Sequence, residues 1–496
     1  MKITTVIKNA QIVKPLEKKI IAGEIGINGE KIVMVAKRIP KEHITAKTQI
    51  LDAQGYLVFP GVVDAHTHTG IYAPLVQDAL SESKAAATGG VTTMLNYFRT
   101  GQYYLNEGGS YSDFYPKVLK LSEGKYFVDY GYHLAPIQAK HIDEMEMLLK
   151  QYGMCSFKIF MFYGGYGLHG STSQNSQRDF LMLDESDSYD IAHFEMIMRK
   201  AAELTKRYPK LADSISVSLH CELADILRAY TTMVQKENKL TGLKAYSAAR
   251  PPHSEGLAIW IASYLANETN CPNINLLHLT SKKAVEAALT MEKVFPHVNF
   301  GKEVTIAHLL LDYDCEAACH AKVNPPIRSR QDVEYLWKQL LLGSIDWVVS
   351  DHACCAMEEK TAHGDHKDGA NIWKSKSGFG GTEYLLSGLF SEGTKRGLSP
   401  NRVAALVSYN PAKRYGLTSK GDIAVGKDAD LVFFNPKESF VVRGHASPSS
   451  AGYTPLEGIK LKGKVKTTML RGKVIFNNDE VVGEPCGAYQ FRPQKK

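Results

Sequence analysis

Short apolar segments alternate with longer amphipathic segments through most of this 496-residue chain, and this alternation limits the possible folds more than any other feature. Strand-like segments lie at residues 57–59, 91–95, 157–161, 216–219, 275–277 and 347–349. Helix-like segments lie at residues 80–87, 142–152, 191–208, 254–266, 282–291, 332–342 and 402–409. Strand and helix in alternation predict a parallel sheet, and a closed eight-fold (β/α)8 barrel is its most economical form at this length.

The two chain ends follow a different pattern, in which apolar and polar residues alternate one by one. This pattern is typical of half-buried antiparallel strands. It covers residues 2–13 and 22–39, and it returns at 421–424, 430–434, 466–470 and 474–476. We therefore predict one small β-sandwich domain built from both ends (1–60 and 415–480), a barrel domain (61–414) and a C-terminal tail (481–496).

Composition excludes several classes of protein. With 44% hydrophobic and 22% charged residues, the chain is neither disordered nor collagenous nor a coiled coil. A net charge of +7 spread over 496 residues gives no reason to expect nucleic acid or an anionic membrane as partner. No uninterrupted apolar run is long enough for a membrane span, and no signal peptide is recognisable. The eight cysteines form no disulfide framework, so we expect reduced thiols and a cytoplasmic location.

Histidine is the unusual residue type, with 17 copies, and four of them end apolar segments. His66 and His68 follow one strand, and residues i and i+2 of a strand point to the same face. His220 and His278 each end another. A single histidine at such a place is more often a core residue than a ligand. The carboxyl ends of barrel strands meet at one mouth, however, so four together are candidate metal ligands.

Two charged residues occupy equally apolar surroundings. Asp351 follows the strand at 347–349, and a carboxylate buried there is costly without a metal or a cationic partner. Lys158 lies inside the apolar segment 157–163. It either extends its amine to the barrel rim or, by its position in the strand, points into the barrel. The residues alone leave both possibilities open.

Eight motifs occur in an order along the chain that resembles the amidohydrolase superfamily, and within it the dihydropyrimidinase and hydantoinase branch of cyclic amidohydrolases. The motifs are residues 59–68, 86–93, 158–163, 249–252, 324–328, 350–352, 410–412 and 421–431. The resemblance implies a distorted (β/α)8 TIM barrel, a β-sandwich from both termini and a binuclear centre of two divalent metal ions, usually zinc.

The resemblance also implies roles for individual residues. It assigns His66, His68 and Asp351 to one metal, His220 and His278 to the other, and a carboxylated Lys158 to the bridge between them. A hydroxide bridging the metals would attack the ring amide, and Asp351 would carry its proton to the leaving nitrogen. Three positions are implied to bind substrate: Tyr163, which would stabilise the oxyanion, Asn324 and Ser377.

The implied reaction opens a hydantoin, a dihydropyrimidine or a related cyclic ureide or imide, and it gives an N-carbamoyl amino acid. Family members are commonly homotetramers. Allantoinase is an alternative. Dihydroorotase ranks lower, because Gly70 stands where those enzymes carry a carboxylate-binding arginine. Typical hydantoinases also differ from this chain at Asn324, near Ser377 and at residues 353–355.

Two alternatives come from other classes. One is a catalytically silent scaffold protein that keeps the fold, and retention of all six ligand positions argues against it. The other is a single-metal deaminase with Glu222 as its glutamate, which would not need Lys158. We also expect residues 164–190 to form either a mobile lid or a surface insertion. We assign no metal-ligand role to Cys315, Cys319, His363 or His366.

Overall fold

The computed structural model describes residues 2–163, 177–361 and 371–493. Its strands, in chain order, are β1 (Thr5–Ile12), β2 (Ile21–Asn28), β3 (Lys31–Ala36), β4 (Gln49–Asp52), β5 (Leu57–Pro60), β6 (Val62–His68), β7 (Val91–Phe98), β8 (Asp129–Leu134), β9 (Ser156–Phe160), β10 (Ser216–His220), β11 (Asn273–Leu276), β12 (Asn299–Thr305), β13 (Trp347–Val349), β14 (His352–Ala353), β15 (Leu431–Val441), β16 (Lys460–Leu470), β17 (Lys473–Asn477) and β18 (Glu480–Val481).

The helices lie mainly between the barrel strands. They are α1 (Leu75–Thr88), α2 (Tyr111–Ser122), α3 (Ala139–Tyr152), α4 (Gln177–Leu181), α5 (Ile191–Arg207), α6 (Ala224–Glu237), α7 (Gly242–Ala249), α8 (Pro252–Thr269), α9 (Lys282–Val294), α10 (Ile306–Leu310), α11 (Arg330–Leu341), α12 (Met357–Thr361), α13 (Leu385–Lys395), α14 (Pro400–Ala404) and α15 (Asn410–Arg414). A π-helical turn, residues 405–409, joins α14 to α15. Among the described residues, no helix is long and apolar enough to cross a bilayer.

The strands β6 to β13 form a parallel sheet in which each strand pairs with the next along the chain. The barrel closes through β14, which pairs in parallel with β6. Only Ser350 and Asp351 separate β13 from β14, so the two are successive parts of one strand. The predicted barrel is confirmed, and the interruption places Asp351 at the point of closure.

The chain ends form a second, mixed sheet in the order β18-β17-β16-β15-β5-β1-β2-β3, with β4 beside β1. The antiparallel pairing of β5 with β15 joins the two ends. Side chains from both ends share one core, including Ile7, Val58, Leu431 and Met469. The predicted terminal β domain is confirmed, although residues 421–424 are not a strand. The domain limits stated above remain our proposal.

The C-terminal tail lies against the amino-terminal side of its own barrel. Arg492 is buried and donates to the carbonyl oxygen of Tyr132 in β8. The Tyr489 hydroxyl donates to the carbonyl oxygen of Tyr152 at 2.6 Å. The described part of the tail therefore packs on the side opposite the mouth at which the strands end.

Candidate metal centre

The six predicted metal ligands line one cavity at the carboxyl ends of the barrel strands. Strands β6, β9 and β10 carry His66 and His68, Lys158 and His220, while His278 follows β11 and Asp351 follows β13. The rest of the cavity wall is mostly apolar and consists of Ile71, Tyr72, Phe160, Phe162, Val323, Asn324, Ala353, Ser377 and Gly378.

His66, His68 and Asp351 form the first ligand group. Oδ1 of Asp351 lies 3.1 Å from Nε2 of His66 and 3.4 Å from Nε2 of His68. One candidate ligand atom from each residue lies within 4.8 Å of the other two. Two imidazoles and one carboxylate at these separations are a donor set suited to a divalent zinc-like cation.

The hydrogen bonds around His66 show that this group fits a cation. Its Nδ1 lies 2.7 Å from Oε1 of Glu303, a carboxylate oxygen that also accepts the His278 backbone N–H at 3.2 Å. With the proton on Nδ1, the lone pair of Nε2 faces the Asp351 carboxylate, and Nε2 is buried without a hydrogen-bond partner among the described residues. Two facing acceptors repel each other, and a cation between them removes the repulsion.

His220 and His278 form the second group, with ring centroids 4.4 Å apart. Nε2 of His220 lies 2.7 Å from Oε2 of Glu222, which leaves Nδ1 of His220 as its ligand atom. Arg250 in turn donates to Oε1 of Glu222 at 3.0 Å. In the described part of the chain, Nδ1 of His278 is buried without a hydrogen-bond partner.

Burial sets the protonation states of the ligand groups. It lowers the pKa of His220 to about 4, and it lowers the pKa of His66 and of His278 well below the usual value. Burial would raise the pKa of Asp351, but His66 and His68 hold it at about 2. At neutral pH the imidazoles are therefore uncharged and the carboxyl group is ionised, and these are the forms that bind metals.

Lys158 points into the barrel. This is one of the two orientations that the sequence left open, and the other was an amine extended to the barrel rim. Its side chain is buried, and Nζ lies 4.1 Å from the centre of the Tyr97 ring. Burial lowers the pKa of this amine to about 7, although Asp351 and Glu303 act in the opposite direction. A large fraction of the amine is therefore uncharged at neutral pH.

Two of the ligands have strained backbones. The φ angle is +56° at Asp351 and +36° at His278, in the left-handed region that residues other than glycine rarely adopt. Such conformations cost about 1–3 kcal/mol each and are concentrated at functional sites. Both side chains line the common cavity.

Tyr163 lies close to the cavity, but it is not among the residues that line it. It belongs to a 3-10 turn that directly follows β9, and its side chain is fully buried. Its hydroxyl oxygen accepts a hydrogen bond from Nε of Arg99 at 3.4 Å, and its ring stacks on Phe160 with centroids 4.6 Å apart. Its predicted role stays a prediction.

The two other predicted substrate residues meet at the cavity wall through Tyr246. The Tyr246 hydroxyl donates to Oδ1 of Asn324 at 2.5 Å and lies 3.4 Å from Oγ of Ser377. The Tyr72 hydroxyl donates to the carbonyl oxygen of Ser377 at 2.5 Å. Asn324 and Ser377 are far apart in sequence, yet they form one polar edge of the cavity.

Sequence reasoning missed the residues that hold the ligands. Glu303 also accepts a hydrogen bond from Nε1 of Trp347 at 2.8 Å, and the Tyr104 hydroxyl lies 3.0 Å from Nδ1 of His68. No strand was predicted over residues 299–305, so no local signal pointed to Glu303. Nothing in the local sequence distinguishes Tyr104 from the other tyrosines.

Other sequence expectations fall partly outside the described residues. Residues 164–176 of the expected lid, together with His363 and His366, lie outside them. The second half of the expected lid contains α4. Cys315 and Cys319 belong to none of the metal-ligand groups found in the described part of the chain.

Comparisons with known proteins identify the family of the chain. A profile of the Amidohydrolase family matches residues 254–475. An allantoinase of Rubrobacter xylanophilus is 30% identical to the chain, over 90% of this chain and 89% of the relative. The dihydropyrimidinase of Brevibacillus agri NCHU1002 superposes with a TM-score of 0.82 at 25% identity, over 98% of both chains. The L-hydantoinase of Arthrobacter aurescens does so with a TM-score of 0.82 at 25% identity, over 97% of this chain and 98% of that one. The resemblance predicted from the motifs is thus confirmed, and the chain belongs to the amidohydrolase family.

Proposed function

We propose that the protein is a metal-dependent cyclic amidohydrolase that opens the ring amide of a hydantoin or a related cyclic ureide. The observation that carries this proposal is the convergence of His66, His68, Lys158, His220, His278 and Asp351 on one cavity. The product of hydantoin opening is an N-carbamoyl amino acid.

The proposed cofactors are two divalent cations, zinc in the first instance, and members of this family are generally binuclear metal enzymes. His66, His68 and Asp351 would hold one cation, and His220 and His278 would hold the other. Lys158 would bridge them as a carbamate, formed when its uncharged amine adds to carbon dioxide and releases a proton. When bound, the cations would supply a hydroxide nucleophile at neutral pH and polarise the ring carbonyl.

The chain's own groups would then move protons and orient the ring. Asp351 is ionised and lies at the cavity wall, so it can accept the proton of the attacking water and pass it to the departing amide nitrogen. Tyr163 accepts a hydrogen bond from Arg99, which leaves its own hydroxyl proton free for the oxyanion. Asn324 and Ser377 would hydrogen-bond the polar edge of the ring.

A hydantoin ring is the substrate feature that the two sets of relatives share. The structural neighbours include hydantoinases, and the curated relatives at 29–30% identity are allantoinases. Allantoin is itself a hydantoin that carries a ureido group. Six-membered dihydropyrimidines are the second candidate, because one structural neighbour is a dihydropyrimidinase. Dihydroorotate is a less favoured substrate, because Gly70 stands where dihydroorotases carry a carboxylate-binding arginine.

A substrate panel tests this proposal. We expect zinc-loaded enzyme to hydrolyse allantoin or a 5-substituted hydantoin with the highest kcat/KM, dihydrouracil with a lower value, and dihydroorotate at the detection limit. Product formation is measured as the new carbamoyl or carboxylate group. Enzyme that contains two metals per chain and opens none of the cyclic ureides or imides in the panel would contradict the proposed reaction.

An apolar stripe on α8 supports the proposal of a homo-oligomer, with a homotetramer as the expected form. Leu257, Trp260 and Tyr264 are 48%, 51% and 58% exposed, and their spacing of three and four residues places them on one helix face. Contiguous exposed apolar side chains mark interaction surfaces in soluble proteins, and a second copy of this chain is the proposed partner.

The stripe gives a test of assembly. We expect Trp260→Glu to reduce the solution mass below the tetramer of 54.9 kDa chains, because a charge would be buried in the interface. Light scattering coupled to size exclusion measures this mass. Leu16→Glu, at a side chain that is 68% exposed on the terminal domain, is the matched control and should keep the wild-type mass. A monomeric wild-type protein would contradict the proposal.

The cytoplasm is the proposed location. All eight cysteines lie in described parts of the chain, and none of them is in a disulfide. Most of these thiols are buried, and burial raises the pKa of several, including Cys221, Cys271 and Cys354. Thiols that stay reduced in a chain of this size are typical of reducing compartments.

A further inference from the structure

Two buried lysines lie behind the substrate wall of the cavity, and neither has a role in the proposed chemistry. Lys322 precedes the Asn324 segment, and Lys360 lies on α12. Both side chains are fully buried. Among the described residues no carboxylate acts on either amine. Buried amines without a counter-ion are expensive to fold, so their contacts require a physical reason.

Both amines bind the segment that carries Ser377, which we name the binding strap (residues 373–378). Nζ of Lys322 donates to the carbonyl oxygens of Ser375 at 2.6 Å and Trp373 at 3.5 Å. Nζ of Lys360 donates to the carbonyl oxygen of Gly378 at 2.7 Å. The strap is thus held by side-chain amines along its length.

The second contact of Lys360 joins the two walls of the cavity. Its Nζ also donates to the carbonyl oxygen of Lys322 at 3.0 Å, and this oxygen accepts the Gly378 backbone N–H at 2.9 Å. Gly378 and Ser377 line the cavity on one side and Val323 and Asn324 on the other. Lys360 therefore fixes the distance between the two halves of the substrate wall.

Each amine has two carbonyl acceptors and one aromatic neighbour. Each lysine donates to two carbonyl oxygens. Nζ of Lys322 lies 4.7 Å from the centre of the Tyr246 ring, and Nζ of Lys360 lies 5.9 Å from the centre of the Phe379 ring. The contacts of both side chains are therefore directed to the strap and to the wall that faces it.

We infer that Lys322 and Lys360 are positioning residues that hold the binding strap in the geometry that receives the substrate. The inference rests on the proposed function, because it assigns the strap to substrate binding. Neither lysine touches a proposed metal ligand. Their loss should therefore weaken substrate binding and leave the metal centre intact.

Lys322→Met and Lys360→Met keep the apolar stem and remove the donors. We expect either variant to raise KM for the best cyclic substrate about tenfold or more, with a smaller change in kcat and two metals per chain. Hydrogen exchange of peptides covering 371–380 should become faster in both variants. Lys206→Met, at an exposed lysine on α5 outside the strap, is the matched control and should change none of these values.

The wild-type protein gives an independent test through pH. Burial lowers the pKa of Lys360 to about 7, against the opposing effect of Cys355 and Cys319. Burial, with Lys360 and Arg250 nearby, lowers the pKa of Lys322 well below the usual value, while Cys319 opposes this. A released strap would return both amines to a pKa of about 10.4. Between about pH 7 and pH 10.4 only the released form gains protons, so closure weakens as pH falls through this range.

We therefore expect the exchange protection of the strap, corrected for the intrinsic rate, to increase from pH 7 to pH 10 in the wild-type protein. This increase should be smaller in Lys360→Met. Protection that does not change with pH, or variants that lose kcat and metal in the same proportion as they gain KM, would overturn the inference. Because hydrogen exchange needs no substrate, failure of the proposed reaction and failure of this inference remain distinguishable.

Discussion

Lys158→Ala is expected to lose both bound metal and activity, with kcat/KM falling at least about 10³-fold. The imidazoles of the proposed ligand set are uncharged, so Asp351 is its only anionic side chain. Two divalent cations in one buried cavity would be stabilised by a second negative charge, and a carbamate on Lys158 would supply it. Metal content by mass spectrometry and steady-state kinetics measure the two effects.

Two controls separate the carbamate from the charge of the lysine. Lys158→Arg keeps a cationic side chain that cannot be carboxylated, and it should be as inactive as the alanine variant. Wild-type protein loaded with zinc in the absence of carbon dioxide should retain less metal than protein loaded in bicarbonate, and neither variant should respond to bicarbonate. A Lys158→Ala variant with full metal content and activity would exclude the bridge.

Asp351→Asn is expected to give the second largest effect. The change keeps the shape of the side chain but removes its negative charge and its ability to accept a proton. Proton transfer by a positioned group contributes about 10²–10⁴-fold, so we expect kcat to fall by about 10³-fold or more. The metal held by His66 and His68 should weaken, while the one assigned to His220 and His278 should remain, which gives about one metal per chain.

Asp351→Glu is the matched variant for this prediction. It retains the charge but moves the carboxylate by one methylene group, so it should keep more metal than Asp351→Asn while its kcat stays low. If Asp351→Asn binds two metals and turns over at the wild-type rate, Asp351 is neither a ligand nor the proton carrier.

The sequence predicted the barrel and the six residues that line its cavity because their signals are local. His66 and His68 share a strand face by their spacing, and Asp351 and Lys158 stand out as charges among apolar neighbours. Residue spacing and a charge within an apolar segment can be recognised without knowing how the rest of the chain folds. The resemblance to a known family then combined them into one site.

Strands β8 and β12 escaped sequence analysis for a physical reason. Strand β8 begins with Asp129 and β12 contains Glu303, so neither has an apolar run. In the structure Asp129 is paired with Lys420 at 2.7 Å and with Arg471, and Glu303 accepts bonds from three donors. These partners lie far away in the sequence, and only the folded chain shows that the carboxylates are satisfied.

The substrate wall was only partly predictable for the same reason. Asn324 and Ser377 were identified by their positions relative to family motifs, but Tyr246, which links them, lies outside those motifs. The buried position of Lys322 and Lys360 depends on carbonyl oxygens of a segment without regular secondary structure. Backbone acceptors carry no sequence signature, so their partners cannot be read from composition or spacing.

The pairing of β5 with β15 has a consequence for how this protein is made in the cell. One backbone edge of residues 57–60 stays unpaired until residues 431–434 have been synthesised and can pair with it. At about 5–20 residues per second, synthesis of the intervening chain takes roughly 20–75 s. During that time the nascent amino-terminal strands expose unpaired backbone groups, which is an aggregation hazard. The amino-terminal segment is therefore a natural place for chaperones to act on the growing polypeptide.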